Sequence, residues 1–257
     1  RPNHADYPAK IKFKGFNDIR GGGHFSGRIT LALTFAGAVA MDILEEKGIK
    51  IFSHIKKILD IKDKSFLEFK EVDIDKFKNL KENSLVFIED DLETKTKELL
   101  EKIKLSGNSV GGEIECACYN LPVGLGSPFF DSLESKISHL AFSVPAVKGI
   151  QFGIGFDFSN ILGSEANDLY YLEDDKIKTK TNNNGGILGG LSTGMPLVFS
   201  VVIKPTPSIS IEQETVNIKE MKNDILKISG RHDACIVPRV MPVIEAITAL
   251  AILDEIL

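Results

Sequence analysis

The stretch RGGGHFSGRITLALTFAGAVAMDILEEKGIKIFSHI, residues 20–55, decides the fold. From Gly27 to about Lys47 the apolar residues Leu31, Leu33, Phe35, Ala36, Val39, Ala40 and Ile43 predict a long apolar helix. Glu45-Glu46-Lys47-Gly48 closes it, because Gly48 tolerates the left-handed backbone that terminates helices. Ile49 to Ile55 then alternates with the two-residue period of a strand.

Working outward, Glu113 to Asn120 sets Ile114, Cys116 and Cys118 against Glu115 and Ala117, a half-buried strand. Ser127 suits an N-cap and Pro128 a first helical position, with Phe129, Leu133, Ile137 and Leu140 on one face of the helix that follows. Val147 to Phe158 reads as a strand weakened by its glycines, and Leu197 to Ile203 as a buried one. Pro242 to Leu257 closes the chain as an apolar helix. Helices alternate with strands, which leaves α/β or α+β with several antiparallel connections. Between residues 56 and 104 charge is dense and the apolar pattern irregular, predicting a mobile or peripheral insertion with amphipathic helix such as Glu93 to Lys104. No linker rich in Pro, Gly or Ser divides residues 1–257, so one domain is expected.

The 257 residues are 43% hydrophobic and 26% charged with net charge −5, which excludes a disordered chain and whole-chain attraction to nucleic acid or anionic membranes. Cys116, Cys118 and Cys235 lack metal-type spacing, and a reducing cytoplasm is the expected compartment. No stretch reads as the ~20 apolar residues of a membrane span. The chain opens at Arg1-Pro2-Asn3-His4 without an initiator Met, and an upstream segment is expected to be missing.

Four strings carry candidate chemistry. In Arg20-Gly21-Gly22-Gly23-His24-Phe25-Ser26-Gly27-Arg28 the glycines permit close backbone approach, a helix N-terminus follows, and Arg20, Ser26 and Arg28 add anion-type donors. The glycine spacing fits neither a Walker A loop nor a Rossmann fingerprint. Thr181 to Gly190 is rich in Asn and Gly, a tight-turn composition. Lys204-Pro205-Thr206-Pro207-Ser208 is a stiff array of donors at a strand end. Gly230-Arg231-His232-Asp233, like His4 between Arg1 and Asp6, combines base, imidazole and carboxylate, a set able to bind an anion and move a proton. Each string has a plain alternative as a turn, a strand exit or a solvated loop. Together they describe a site for anionic ligands with no metal cluster and no evident nucleophile.

In order, RPNHADY (1–7), RGGGHFSGRIT (20–30), LPVGLGSPFFD (121–131), SVPAVKGIQFGIGF (143–156), GSEAND (163–168), TNNNGGILGGLSTGMP (181–196), IKPTPSI (203–209) and GRHDACIVPRVMPVIEA (230–246) resemble the chorismate synthase family across nearly the whole chain. The resemblance implies an α+β fold, a β-α-β sandwich with helices packed between antiparallel sheets. It also implies the 1,4-anti elimination of phosphate from 5-enolpyruvylshikimate 3-phosphate, with reduced FMN and no net redox change. Cofactor contacts fall by resemblance on His24, Phe25, Ser26, Pro145, Ala146, Gly189, Lys204, Pro205, Thr206, Pro207, Ser208 and Arg231. Substrate contacts fall on Arg1 and Arg28, and catalytic roles on His4, Asp233 and Ser26. NADPH enters only indirectly, through a flavin reductase, and a homotetramer is implied.

Departures are Asn3 where the family usually has Gly, Ala234 where it has Pro, and His24-Phe25-Ser26-Gly27-Arg28 in place of Arg-Ser-Ser-Ala-Arg. The family's opening Gly-x-Ser-His-Gly motif and arginine cluster are not in this sequence, so this chain alone is expected to be inactive or impaired. The alternative is a non-catalytic flavin- or anion-binding remnant of the same scaffold.

Overall fold

The computed structural model describes residues 1–18, 20–69, 77, 83–230 and 232–257. After a short helix α1 (Asp6–Lys12) and 3₁₀ turns at Arg20–Phe25 and Gly27–Thr30 comes α2 (Leu31–Glu46). Gly48 has φ 81, as a helix terminator requires, and the chain passes into β1 (Lys50–Ile58) and β2 (Ile61–Lys62). Then follow α3 (Leu92–Leu105), β3 (Gly112–Tyr119), α4 (Leu133–Ser143) and β4 (Val147–Phe152). Two hairpins, β5–β6 (Tyr170–Glu173, Lys176–Thr179) and β7–β8 (Ile187–Leu188, Leu191–Ser192), precede β9 (Leu197–Ile203). A third, β10–β11 (Gln213–Asn217, Lys222–Leu226), precedes α5 (Val237–Ile256).

Strands β2-β1-β3-β9-β4 form one antiparallel sheet. Its alternation sorts two faces. Ile51, Ile55, Ile114, Cys116, Cys118, Leu197, Phe199 and Val201 point toward the helices and form the main core with α5. Phe52, Ala117, Tyr119 and Val198 point the other way and meet Phe66, Phe77 and Ile88 in a second cluster. The fold is α+β, with helices packed on an antiparallel sheet. The described residues form one sheet of more than two strands, and the outer side of the helix layer is left open.

The segment expected to be a peripheral insertion is instead, where described, a cover. Phe66 and Ile88 are buried on the outer face of the sheet, which is itself apolar and has to be shielded from water, while Leu85, Phe87 and Leu92 join the main core. Residues 70–76 and 78–82 of that segment lie outside the described set. The helix expected after Ser127 starts later. Pro128 opens a single 3₁₀ turn, Phe129–Asp131, and Ser132 caps α4 by accepting from Ser135 N. The strand expected to reach Phe158 stops at Phe152, since Gly153 and Gly155 take φ of 57 and 52. The closing helix begins five residues before Pro242, which it accommodates internally.

Contrary to the expectation of no membrane-length stretch, Gly27–Glu46 is long and apolar enough to cross a membrane by length and composition. Its apolar residues divide into two stripes. Gly37, Ala40 and Leu44 are buried against the core, while Leu31, Phe35, Val39 and Ile43, spaced four apart, face outward. The α2–α5 crossing is close enough that a Cβ on Gly37 would lie 2.2 Å from Ala246 Cβ and 2.4 Å from its Cα.

Gly37→Ala therefore forces the two helices apart. Overpacking of this kind costs about 1–3 kcal/mol, outweighing a helix-propensity gain of at most about 1 kcal/mol. Thermal unfolding of the variant should show a lower Tm; an unchanged or raised Tm would refute the crossing as described.

Candidate active site

At the C-terminal end of β9 the strand edge, the start of α2, the end of α4 and the start of α5 enclose a cavity of about 910 Å³. From the N-terminal segment come Arg1, Asn3 and His4. Arg1 is held by a bidentate pair with Asp6, Nε to Oδ2 at 2.7 Å and Nη2 to Oδ1 at 2.8 Å. That pairing fixes both side chains and holds the Asp6 carboxyl well below the usual carboxylate range. His4 Nδ1 lies 3.3 Å from Arg1 Nη2 and 2.9 Å from Asp6 Oδ1. Burial first, and then the Arg1 charge, outweigh Asp6 and lower the His4 pKa below its ordinary value, so the neutral imidazole is favoured.

The glycine-rich string contributes His24, Phe25, Ser26 and Arg28. Gly22 and Gly23, at φ 90 and 51, let this string coil, and the Ser26 hydroxyl accepts from Arg28 N at 3.2 Å as the cap of the next turn. Arg20 is drawn away: its guanidinium forks onto Asp18 at 3.0 Å and stays exposed. Pro145 and Ala146 line the wall beyond α4. Ala146 sits at φ 76, a strained region for a residue with a Cβ, and its carbonyl accepts from Lys204 N at 2.9 Å.

Lys204, Pro205, Thr206, Pro207 and Ser208 form the floor. Lys204 Nζ donates to the Asn3 carbonyl at 2.8 Å and approaches Asn3 Oδ1 at 3.3 Å, tying the first residues to the strand end. Asn3 has φ 53, a left-handed backbone that Asn tolerates and Gly adopts freely, so Asn is a conformationally conservative departure there. The Thr206 hydroxyl donates to the Asp233 carbonyl at 3.1 Å, and Val110 N donates to Ala234 O at 2.8 Å. These bonds stitch the loop before α5 to the strand ends.

His232 and Asp233 complete the wall. Sequence reasoning missed three features here. Arg239, in the first turn of α5, pairs with Asp233 at 2.8 Å; the signal was a basic residue following a loop carboxylate by six positions, which only the turn into α5 converts into contact. The others are Asn3 as the anchor of Lys204, and His232 Nε2, a buried ring nitrogen with no hydrogen-bond partner.

Thus three of the four strings singled out in the sequence converge with the N-terminal segment, while Thr181 to Gly190, like Arg20 of the first string, stays outside the cavity. Gly189 stands apart on the β7–β8 turn, where Gly190 O accepts from Leu133 N at the start of α4. The cavity meets α4 at its other end, ~16 Å away for an 11-residue helix. Arg231 lies outside the described residues.

The chorismate synthase family model matches residues 1–257. The chain is 44% identical over 257 residues to the chorismate synthase of Thermococcus gammatolerans, covering all of this chain and 70% of that protein. It is 45% identical over 260 residues to that of Methanococcoides burtonii, covering 100% and 69%. A crystal structure of chorismate synthase superposes with a TM-score of 0.79 at 27% identity, covering 97% of this chain and 69% of the other. The match over the whole chain, the identity to these relatives and the shared fold identify the chain as a member of the chorismate synthase family, lyases of the shikimate pathway that use reduced flavin.

Proposed function

We propose that the cavity binds reduced FMN beside 5-enolpyruvylshikimate 3-phosphate and serves the 1,4-anti elimination of phosphate that yields chorismate. The observation that carries this reading is that cationic and hydroxyl donors from five separate segments face one cavity in a chain of net charge −5. Both ligands are anions, and such donors hold phosphate and carboxylate.

Reduced FMN fits the residues present. Val144, Pro145, Ala146, Pro205 and Ile236 offer apolar wall for a ring system, and the unpartnered His232 Nε2 waits for a polar atom. His24, Phe25, Ser26, Pro145, Ala146 and Lys204 through Ser208 are the proposed cofactor contacts, with Arg231 joining them on resemblance. Gly189 leaves the set because its turn is elsewhere. Bound reduced flavin would supply electron density to a reaction with no net redox change. Arg1 and Arg28 orient the substrate's anionic groups, so that phosphate departs with its bonding electrons toward positive charge. His4, kept neutral by burial and Arg1, exchanges a proton at Nε2, and Asp233, steadied by Arg239, accepts one. Ser26 holds its loop through the cap and presents its hydroxyl to the cavity.

A separate reductase drawing on NADPH would keep the flavin reduced. The outward apolar stripe of α2 supports further burial on assembly, in line with a homotetramer. Cytoplasmic placement is proposed from the thiols, of which Cys116 and Cys118 serve as buried core residues.

Three measurements on the full-length gene product test the reading. FMN should raise Tm and NAD should not; a ligand at 100 times its Kd stabilises by about 2.7 kcal/mol. No response to FMN in either redox state, with substrate present, would count against the assignment.

Lys204→Ala should weaken flavin binding by about 1–3 kcal/mol, the scale for a hydrogen bond to a charged group. Unaltered affinity would leave Lys204 as only the anchor of Asn3.

His4→Ala and Asp233→Ala should each lower kcat by roughly 10²–10⁴ with saturating reduced FMN, the usual contribution of acid–base catalysis. The double variant should lose far less than the product of the two. Near-normal kcat in either variant removes that residue from the chemistry.

A further inference from the structure

On the far face of the sheet, away from the cavity, His54 is 1% exposed and pairs in register with Glu115 on β3. Both ring nitrogens face carboxylates: Nδ1 is 2.9 Å from Asp63 Oδ2 and Nε2 is 3.1 Å from Glu115 Oε2. A neutral imidazole has one N–H and would turn a lone pair on one of these oxygens. The remaining possibility, a proton on a carboxyl group, is answered by the other donors. Glu115 Oε1 accepts from Ser65 Oγ and Lys56 Nζ, each at 2.7 Å, and Oε2 accepts from Phe66 N at 2.6 Å. Asp63 Oδ1 accepts from Lys64 N at 2.9 Å and Glu89 N at 3.2 Å, and Oδ2 accepts from Ile88 N at 2.6 Å. Leaving the ring aside, each carboxylate already accepts three hydrogen bonds, the environment that suits an ionised, acceptor-only group rather than one that must donate a proton to the imidazole. The cluster balances as two carboxylates, one ammonium and one imidazolium.

We infer that His54 is a resident imidazolium that clasps the covering segment, residues 63–69 and 83–91, onto the sheet, and that the clasp opens when this proton is lost. Asp63, Ser65, Phe66, Ile88 and Glu89 all belong to the cover, whereas His54, Lys56 and Glu115 belong to the sheet. The groups facing the ring are Asp63 and Glu115, with Lys56 behind Glu115 and the Phe66 ring edge-on at 4.7 Å. Glu89's own carboxylate is turned outward to Lys64 at 3.0 Å, and Glu68's caps Ser65 N at 2.8 Å.

Burial alone would lower the His54 pKa, but the bonds to Asp63 and Glu115 outweigh it and raise it. For a group raised on folding, the stabilisation is complete below the unfolded pKa of about 6.5 and is lost as pH climbs through the folded value. Glu115 behaves oppositely. Burial pushes it up, His54 and Lys56 outweigh that and hold it at about 2, so its contribution persists above the unfolded value and fades only as pH falls toward about 2. The clasp therefore opens on the alkaline side while the sheet–α5 core stays closed.

The test is a ¹⁵N NMR titration of the imidazoles in the intact chain, with amide exchange of Phe66, Ile88 and Glu89 corrected for intrinsic rates. His54 should show two protonated ring nitrogens at neutral pH and titrate above the ~6.5 of a free imidazole. As it titrates, those three amides should lose protection while β3 and β9 amides keep theirs. His54→Gln should exchange at the three amides on the order of tenfold faster at neutral pH, without the alkaline step. A neutral tautomer at pH 7, titration below 6.5, or protection indifferent to His54 ionisation would each overturn the inference. If His54→Gln does not fold, the wild-type titration decides the matter by itself.

Discussion

Helix α5 is apolar around nearly its whole circumference, from Val237 and Val240 through Ile244, Ile247 and Ile252. Such a helix has to be covered on both sides. The sheet takes one side through Ile51, Ile55, Ile114 and Phe199, and α2 takes the other through Gly37, Ala40 and Leu44. Because Gly37 lets α2 approach Ala246 closely, the two helices keep their spacing within the tolerance of close-packed interiors. The start of α5 carries Arg239 and follows directly on His232 and Asp233, so burying the helix also sets one wall of the cavity. The opposite wall begins where α2 begins. Core packing and site geometry share the same pair of elements.

The site answers a problem of charge. The whole chain carries −5, yet the cavity gathers Arg1, Arg28, Lys204 and Arg239. Three of these are held by neighbours: Arg1 by Asp6, Arg239 by Asp233, and Lys204 by the carbonyl of Asn3. Pairing keeps long side chains ordered before any anion arrives, which lowers the entropy lost on binding. The bonds from Thr206 to Asp233 and from Lys204 N to Ala146 do the same for the backbone.

The two sheet faces are built on different physics. Toward α5 the contacts are mostly apolar, with Cys118 behaving as a small hydrophobe and one buried polar bond, from Ser53 Oγ to Glu245 Oε1 at 2.8 Å. On the other face a cluster of aromatic rings surrounds the ionic group of His54, Asp63, Glu115 and Lys56. Buried charges are tolerated only when each is paired and fully hydrogen-bonded, and here every oxygen is. Such a cluster contributes position more than energy, because its bonds are satisfied in a single register of cover on sheet.

The linear pattern determined the elements whose physics is local. The long apolar run 27–47, its Gly48 stop and the strand at 197–203 are legible because period and terminator chemistry act on neighbouring residues. The order of strings likewise carried the family and nearly all of the cavity, since donors flanked by glycine and proline announce themselves in one dimension. Tertiary structure alone decided the rest. Charge density made residues 56–104 look peripheral, and the apolar outer face of the sheet, invisible to any local window, turned them into a cover. Nothing near His54 in sequence predicts Glu115, 61 positions away, nor does Lys204 predict Asn3, 201 positions before it. Gly189 kept its string but not its place, because the β7–β8 turn is bonded to the far end of α4. Residues brought together by strand pairing and helix crossing owe their contact to the fold's geometry, which a local pattern does not encode.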